Sequence, residues 1–175
     1  MRASPKLSAL ALLLGLVACA APRRAAEPAE VTALRRTIDA LYEAFCFEPG
    51  AEPDWEAQRA IYLAGATFVP PSRSDRAPVA QTTEEFLADF REFVRSEPYR
   101  LTGFHERIVG MTVDAFGGIA HAFVAFEGFV PGEEAARTRG LDSVQFVREG
   151  DAWRLLSFTT QYEGGERVLP GRFFE

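Results

Sequence analysis

Lysine is nearly missing from this 175-residue chain: Lys6 is the only one, and positive charge elsewhere rests on arginine. A Schiff-base lysine and a phosphate-loop lysine are therefore excluded beyond residue 6. Histidine is scarce, at His105 and His121, and cysteine stops at Cys19 and Cys46. Those few ligands form no cluster with zinc spacing, so neither a metal nor another cofactor is expected. Runs of basic residues are lacking as well. With a net charge of −6, the chain offers no basic stripe for phosphates, which excludes nucleic acid as a partner. No apolar run after Val17 approaches the length of a membrane span. Aromatic residues, by contrast, are plentiful. Fifteen Phe, four Tyr and two Trp in a chain that is 47% hydrophobic exclude intrinsic disorder. The length suits a single domain with an adequate core.

The N-terminus reads as an address. Arg2 and Lys6 precede the apolar stretch LSALALLLGLV at residues 7–17, and small residues follow. This is the pattern of a secretory signal, too short for a comfortable span. Leu16-Val17-Ala18-Cys19 resembles the bacterial lipobox, which implies that residues 1–18 are a signal peptide and that Cys19 is the acylated first residue of the mature chain. By the same resemblance Ala20, a non-aspartate after the cysteine, points to the outer membrane, with the protein lipid-anchored in the cell envelope and facing the periplasm. Residues 19–30 read as a flexible tether, Ala/Pro-rich without an aromatic or β-branched residue. Acyl chains would hold the protein on the membrane.

From residue 31 the pattern is that of a folded domain, expected over 31–175. Apolar residues at 31, 34, 38, 41 and 45 give helical spacing over residues 31–47, stopped by Pro49-Gly50. Asp54 suits the cap of a short second helix running to about Tyr62. Residues 66–69 are a short apolar run and residues 70–81 a loop. Thr82 with Glu85 forms a capping box, after which Phe86, Leu87, Phe90, Phe93 and Val94 follow helical spacing towards Pro98. Strand patterns then take over. Residues 103–114 and 119–130 flank Gly117-Gly118, and residues 141–149 and 152–162 flank Gly150-Asp151, giving two hairpins. Helices followed by an antiparallel sheet define an α+β fold.

That order and three local signatures resemble the nuclear transport factor two-like superfamily, also called SnoaL-like. The signatures are the opening amphipathic helix; Gly103-Phe104-His105-Glu106-Arg107 leading into Phe116-Gly117-Gly118-Ile119-Ala120-His121; and Gly140-Leu141-Asp142-Ser143-Val144-Gln145 leading into Gly150-Asp151-Ala152-Trp153-Arg154-Leu155. The resemblance covers about residues 31–165. It implies a cone-shaped, curved antiparallel sheet wrapped around the N-terminal helices, with a pocket at the wide end, and homodimers through sheet faces in many members. It does not imply one activity, because members include isomerases, dehydratases, cyclases, epoxide hydrolases and non-enzymatic binders.

Alternation sorts the first hairpin. With Phe116 and Gly117 at the tip, Ala115 pairs with Gly118. One face then carries Glu106, Ile108, Gly110, Thr112, His121, Phe123 and Glu127. The other carries His105, Arg107, Val109, Met111, Val113, Ala122, Val124 and Phe126, and being more apolar is expected to face the helices. His105 and Arg107 would thus look into the cone, suited to an anionic or polar ligand group, while Glu106 and Glu127 would face each other outside. A bulge would switch faces within the strand. The candidate pocket residues are Tyr42, Trp55, Tyr62, His105 and Arg107; all but Arg107 suit core packing or a satisfied structural role as well. Cys46 reads as a buried thiol, Trp153 as a packing residue, and the segment 168–174 as docking on the domain.

Glu127 and Asp142 have no identifiable partner, and no Asp or Glu is placed on the apolar face near a tyrosine. Such a residue would be the clearest sign of a proton-transfer enzyme. Asp142 or Asp54 could still reach the mouth of the pocket. Catalytic residues therefore stay unassigned. The favoured expectation is a lipid-anchored module that binds a small apolar or polar-headed ligand in an aromatic pocket. The alternatives are a cyclase-, isomerase- or hydrolase-type enzyme using that pocket, and an envelope protein-interaction module.

Overall fold

The first apolar stripe forms a helix that starts earlier than its spacing suggests. In the computed structural model, which describes residues 28–71, 77–133 and 135–174, helix α1 (Pro28–Glu43) buries Leu34, Ile38, Leu41 and Tyr42 on one side. It takes in three residues of the expected tether, and proline suits a first helical turn because its φ is already fixed. At the other end it stops at Glu43, and Phe47 instead forms a bridge with Phe104. The signal segment, Cys19 and most of the tether lie outside the described residues, as do residues 72–76 of the expected loop.

Helix α2 (Trp55–Ile61) is capped by Asp54, whose carboxylate accepts the backbone N–H groups of Glu56 and Ala57. Strand β1 (Tyr62–Val69) follows directly, and β2 (Gln81–Thr82) is a two-residue edge. Helix α3 (Thr83–Arg95) opens on the expected capping box, with Thr82 and Glu85 serving each other's backbone N–H groups. A short helix α4 (Tyr99–Thr102), not legible in the sequence, leads into β3 (His105–Phe116), β4 (Ile119–Phe129), β5 (Thr138–Glu149) and β6 (Ala152–Tyr162).

The six strands form one sheet in the order β2-β1-β6-β5-β4-β3. The last four make an antiparallel meander, while β1 adds to β6 in parallel. That parallel pairing is how the short run at residues 66–69 joins the sheet. Helices α1 and α3 lie against one face, where Leu34, Ile38, Leu41 and Leu87 meet Val124, Val144, Phe146 and Leu155, all essentially inaccessible to solvent.

The β3–β4 hairpin corrects the sequence reading in one half only. Its tip is Gly117-Gly118, with Phe116 opposite Ile119. The pairing is displaced by two residues from expectation, which leaves every face unchanged, so Met111, Val113, Ala122, Val124 and Phe126 do face the helices. Below them the ladder breaks between Ile108 and Gly110, and Val109 is the extra residue of a bulge. From there downward the faces exchange. Ile108 packs into the core and Glu106 lines the interior. His105 and Arg107, expected inside, lie on the other side. His105 Nε2 sits 3.0 Å from Glu48 Oε1, and the guanidinium of Arg107 binds Glu127 at 2.6 Å. Glu106 and Glu127 are thus not opposite one another: Arg107 is the cross-strand partner of Glu127.

The C-terminal segment docks, as expected. A 3-10 turn (Gly171–Phe173) seats Phe173 against Phe123 with ring centroids 5.4 Å apart, on the face of β3 and β4 away from the helices. Gly110, beside the bulge, makes this approach feasible: a Cβ there would fall 1.8 Å from the carbonyl oxygen of Phe173.

Candidate functional site

Helix α3 projects Phe86, Phe90 and Phe93 along one side, their rings nearly parallel in succession. Phe68 of β1 stacks on Phe86 at 4.3 Å. Across from this wall the sheet contributes Phe126 and Phe158, and Phe104 and Tyr99 close one end. Between them lies a cavity of about 180 Å3. Phe126 can lie flat against β5 only because residue 140 is glycine, where a Cβ would sit 2.5 Å from the ring. The wall is therefore aromatic by the same helical spacing and strand alternation that build the core.

Into this apolar space come two carboxyls. Asp142 is on the inner face of β5, in phase with Val144 and Phe146, and is 1% exposed. Its Oδ2 accepts a hydrogen bond from the hydroxyl of Tyr42, carried on the buried stripe of α1. Its Oδ1 is buried and has no hydrogen-bond partner. Glu106, turned inward by the bulge, is half-buried and also lines the cavity, as do Thr160 and Tyr162 of β6.

Burial dominates the electrostatics. It pushes the Asp142 carboxyl up to about 7, against the opposing pull of Thr160, its cross-strand partner, and of the Tyr42 hydroxyl. Glu106 is raised well above the ordinary carboxylate range, by burial first and by the charge of Asp142 second. Burial likewise raises Tyr42, with Asp142 adding to the effect, and raises Tyr162. Burial thus favours the neutral form of both carboxyls, and Asp142 holds its proton up to about pH 7. Such a pair can give a hydrogen bond, take one, or pass a proton.

The sequence candidates are dispersed around this site. Tyr42 reaches it through Asp142. Trp55 packs on Phe90 outside the cavity, with the Arg91 guanidinium 4.8 Å above its ring. Tyr62 is buried beside Gln58 and stacks edge-on to Phe68. His105 and Arg107 are on the opposite side of the sheet. Asp142, which the sequence leaves able to reach the mouth of the pocket, and Glu106, which alternation puts on the outer face, are the acids that line the cavity. Asp142 does find a tyrosine, which corrects the expectation that no carboxylate would, and Glu127 finds Arg107 and Arg139. Cys46 is half-buried, its sulfur 3.3 Å from the backbone nitrogen of Glu106, and burial raises its thiol. His121 bonds Ser143 across the strands at 2.9 Å.

No family model matches the chain, and no curated protein matches it. Solved structures do. An NTF2-like protein of unknown function from Pseudomonas putida KT2440 superposes with a TM-score of 0.61 at 14% identity, over 80% of this chain and 91% of that one. A protein of unknown function with a cystatin-like fold from Nostoc punctiforme gives 0.62 at 8% identity, over 82% and 98%. A proposed dehydratase of the NTF2-like family from Streptomyces avermitilis gives 0.61 at 17% identity, over 78% and 98%. The described residues thus share the fold of these NTF2-like and cystatin-like proteins: an α+β cone whose curved, mainly antiparallel sheet wraps the N-terminal helices.

Proposed function

We propose that this domain binds a small, mostly apolar molecule in the cavity between α3, α4 and the sheet, with one polar group of the ligand set against Asp142 and Glu106. The observation that carries this reading is the cavity itself, a space of about 180 Å3 with aromatic walls and, among the described residues, two carboxyls as its charged groups. A cavity of roughly 150 Å3 is enough to hold benzene, so the ligand is of the size of one ring with a short arm. Thermal unfolding of the full-length protein against a panel of such molecules tests it. A ligand held at about 100 times its dissociation constant adds about 2.7 kcal/mol, a rise on the order of 5 °C for a domain of this size. Thr138, which lines the cavity, gives the control: Thr138→Trp fills the space and removes the shift. A panel without any shift would sink the reading.

A second reading rests on the carboxyl pair. Asp142 with a pKa of about 7, backed by Tyr42 and next to Glu106, whose neutral form burial also favours, suits general acid–base work. The likeness to a proposed dehydratase points the same way. An enzyme of this kind would show turnover that follows an ionisation near neutral pH and falls by orders of magnitude in Asp142→Asn; turnover indifferent to that substitution would exclude it.

The sequence supports a location. Cys19, at the end of the lipobox-like stretch, is proposed as the acylation site, holding the domain in the bacterial cell envelope through a tether that ends at α1. Cys19→Ala should move the protein from the membrane fraction to the soluble one. Retention on the membrane would refute the anchor.

A further inference from the structure

Among the described residues the cavity carries acid and no base: its lining includes no lysine, arginine or histidine. Among the described residues, the titratable groups interacting with Asp142 are Tyr42 from α1, Glu106 from β3 and Tyr162 from β6, with Tyr99 from α4 also lining the cavity and Cys46 beside Glu106, and none of them is a cation. The arginines of the same region, Arg107 and Arg139, pair with Glu127 on the other side of the sheet. Asp142 is 1% exposed, and its Oδ1 makes no hydrogen bond of good geometry, with the Thr160 side chain as its nearby polar neighbour. An orphaned buried acceptor is costly, and an uncompensated buried charge more so. Both deficits would be met by one kind of ligand group.

Resting on the binding function proposed above, we infer that the bound molecule is a small organic cation: a single ring or branched hydrocarbon carrying a protonated amine, seated with its nitrogen against Asp142 Oδ1 and Glu106. An ammonium has three donors and no acceptor, so it can serve the orphaned oxygen and the neighbouring carboxyl at once. A carbonyl ligand supplies only acceptors and leaves Oδ1 unmet. A carboxylate ligand adds a like charge to a buried acid. The wall favours the same choice, since the faces of Phe and Tyr rings attract cations, more strongly where water is excluded. The aromatic lining and the carboxyl pair thus agree on charge, and the volume agrees on size.

Benzylamine, benzyl alcohol and benzoate are matched in size and differ in charge, which makes them the probes. Their binding to the full-length protein is measured by titration calorimetry from about pH 5 to pH 8. Benzylamine should bind about tenfold more tightly than benzyl alcohol at pH 8, and benzoate more weakly than either. The benzylamine advantage should shrink towards pH 5, where Asp142 takes up its proton while the amine stays charged. Binding near neutrality should release protons to the buffer, because a cation favours the ionised pair. Asp142→Asn should abolish the preference for benzylamine over benzyl alcohol; Glu106→Gln gives an independent loss of preference should the first variant fold poorly. Benzyl alcohol or benzoate binding as tightly as benzylamine would overturn the cation while leaving the cavity as a binding site. Failure of all three would overturn both.

Discussion

Asp142 stands where strand alternation calls for a hydrophobic residue, and its environment makes that position costly. Its carboxyl rises from 3.8 to about 7 in the folded chain because burial disfavours the charge. Below about pH 4 the group is protonated folded and unfolded alike. As pH climbs from there, the unfolded chain releases the proton while the folded one keeps it, so stability declines until the folded pKa is passed. The decline from this residue is roughly 4 kcal/mol, and Glu106, raised for the same reason, adds to it in the same sense. The protein should therefore withstand urea better at about pH 5 than at pH 8, and Asp142→Asn should flatten that dependence while keeping an acceptor for Tyr42. An unchanged slope in the variant would show that the carboxyl is not desolvated as described. A pattern of this kind was legible in part. Asp142 keeps phase with Val144 and Phe146 in the sequence, which puts it on the apolar face, but its partner Tyr42 lies 100 residues away on a helix whose rotation no strand pattern reports.

Among the elements, the helices and hairpins follow from local signals, and β3 does not. Capping residues, proline and glycine stops and apolar spacing act over a few residues, so α2, α3 and both hairpins are found close to where the sequence puts them. Face assignment along β3 depends on a single extra residue, Val109, and alternation propagates that error to every position below it. The stretch Phe104 to Ile108 carried its own hint, with His105 and Arg107 polar between Phe104 and Ile108; it was outvoted by the longer pattern above. The pairing of β1 with β6 is a long-range contact that no local signal announces. Helix α3 matters most for the cavity, because its stripe is the aromatic wall. Thr82→Ala removes the side-chain half of its cap, which should cost about 1 kcal/mol. Amide exchange should speed up first at Glu85 and Phe86, the turn that places Phe86 against Phe68. Uniform exchange along α3 would mean that packing, not the cap, holds its start.

At the scale of the whole molecule, the two faces of the sheet are joined through one short stretch of β3. On the inner side the Val109 bulge delivers Glu106 to the cavity. On the outer side Gly110 receives the C-terminal turn, with Phe173 buried on Phe123. Arg139 ties the same segment down, binding Glu163 at 3.2 Å and lying under the ring of Phe174. The chain's own end therefore covers a part of the outer sheet face, and a side chain at residue 110 cannot coexist with it. In Gly110→Ala the new methyl would collide with backbone, not with a movable side chain, so either the segment leaves or the strand shifts. Departure is the cheaper response: the segment holds few buried groups, whereas β3 is paired to β4 along its whole length. The expected cost is about 1–3 kcal/mol, and trypsin should then cut after Arg167 and Arg172 well before it attacks the domain. A variant that keeps these sites protected has moved β3 instead. In that case the bulge is disturbed, Glu106 loses its place, and the benzylamine preference should fall with it, whereas simple release of the segment should leave that preference intact. The two readouts together separate a docked tail from a strand that the tail helps to hold in register.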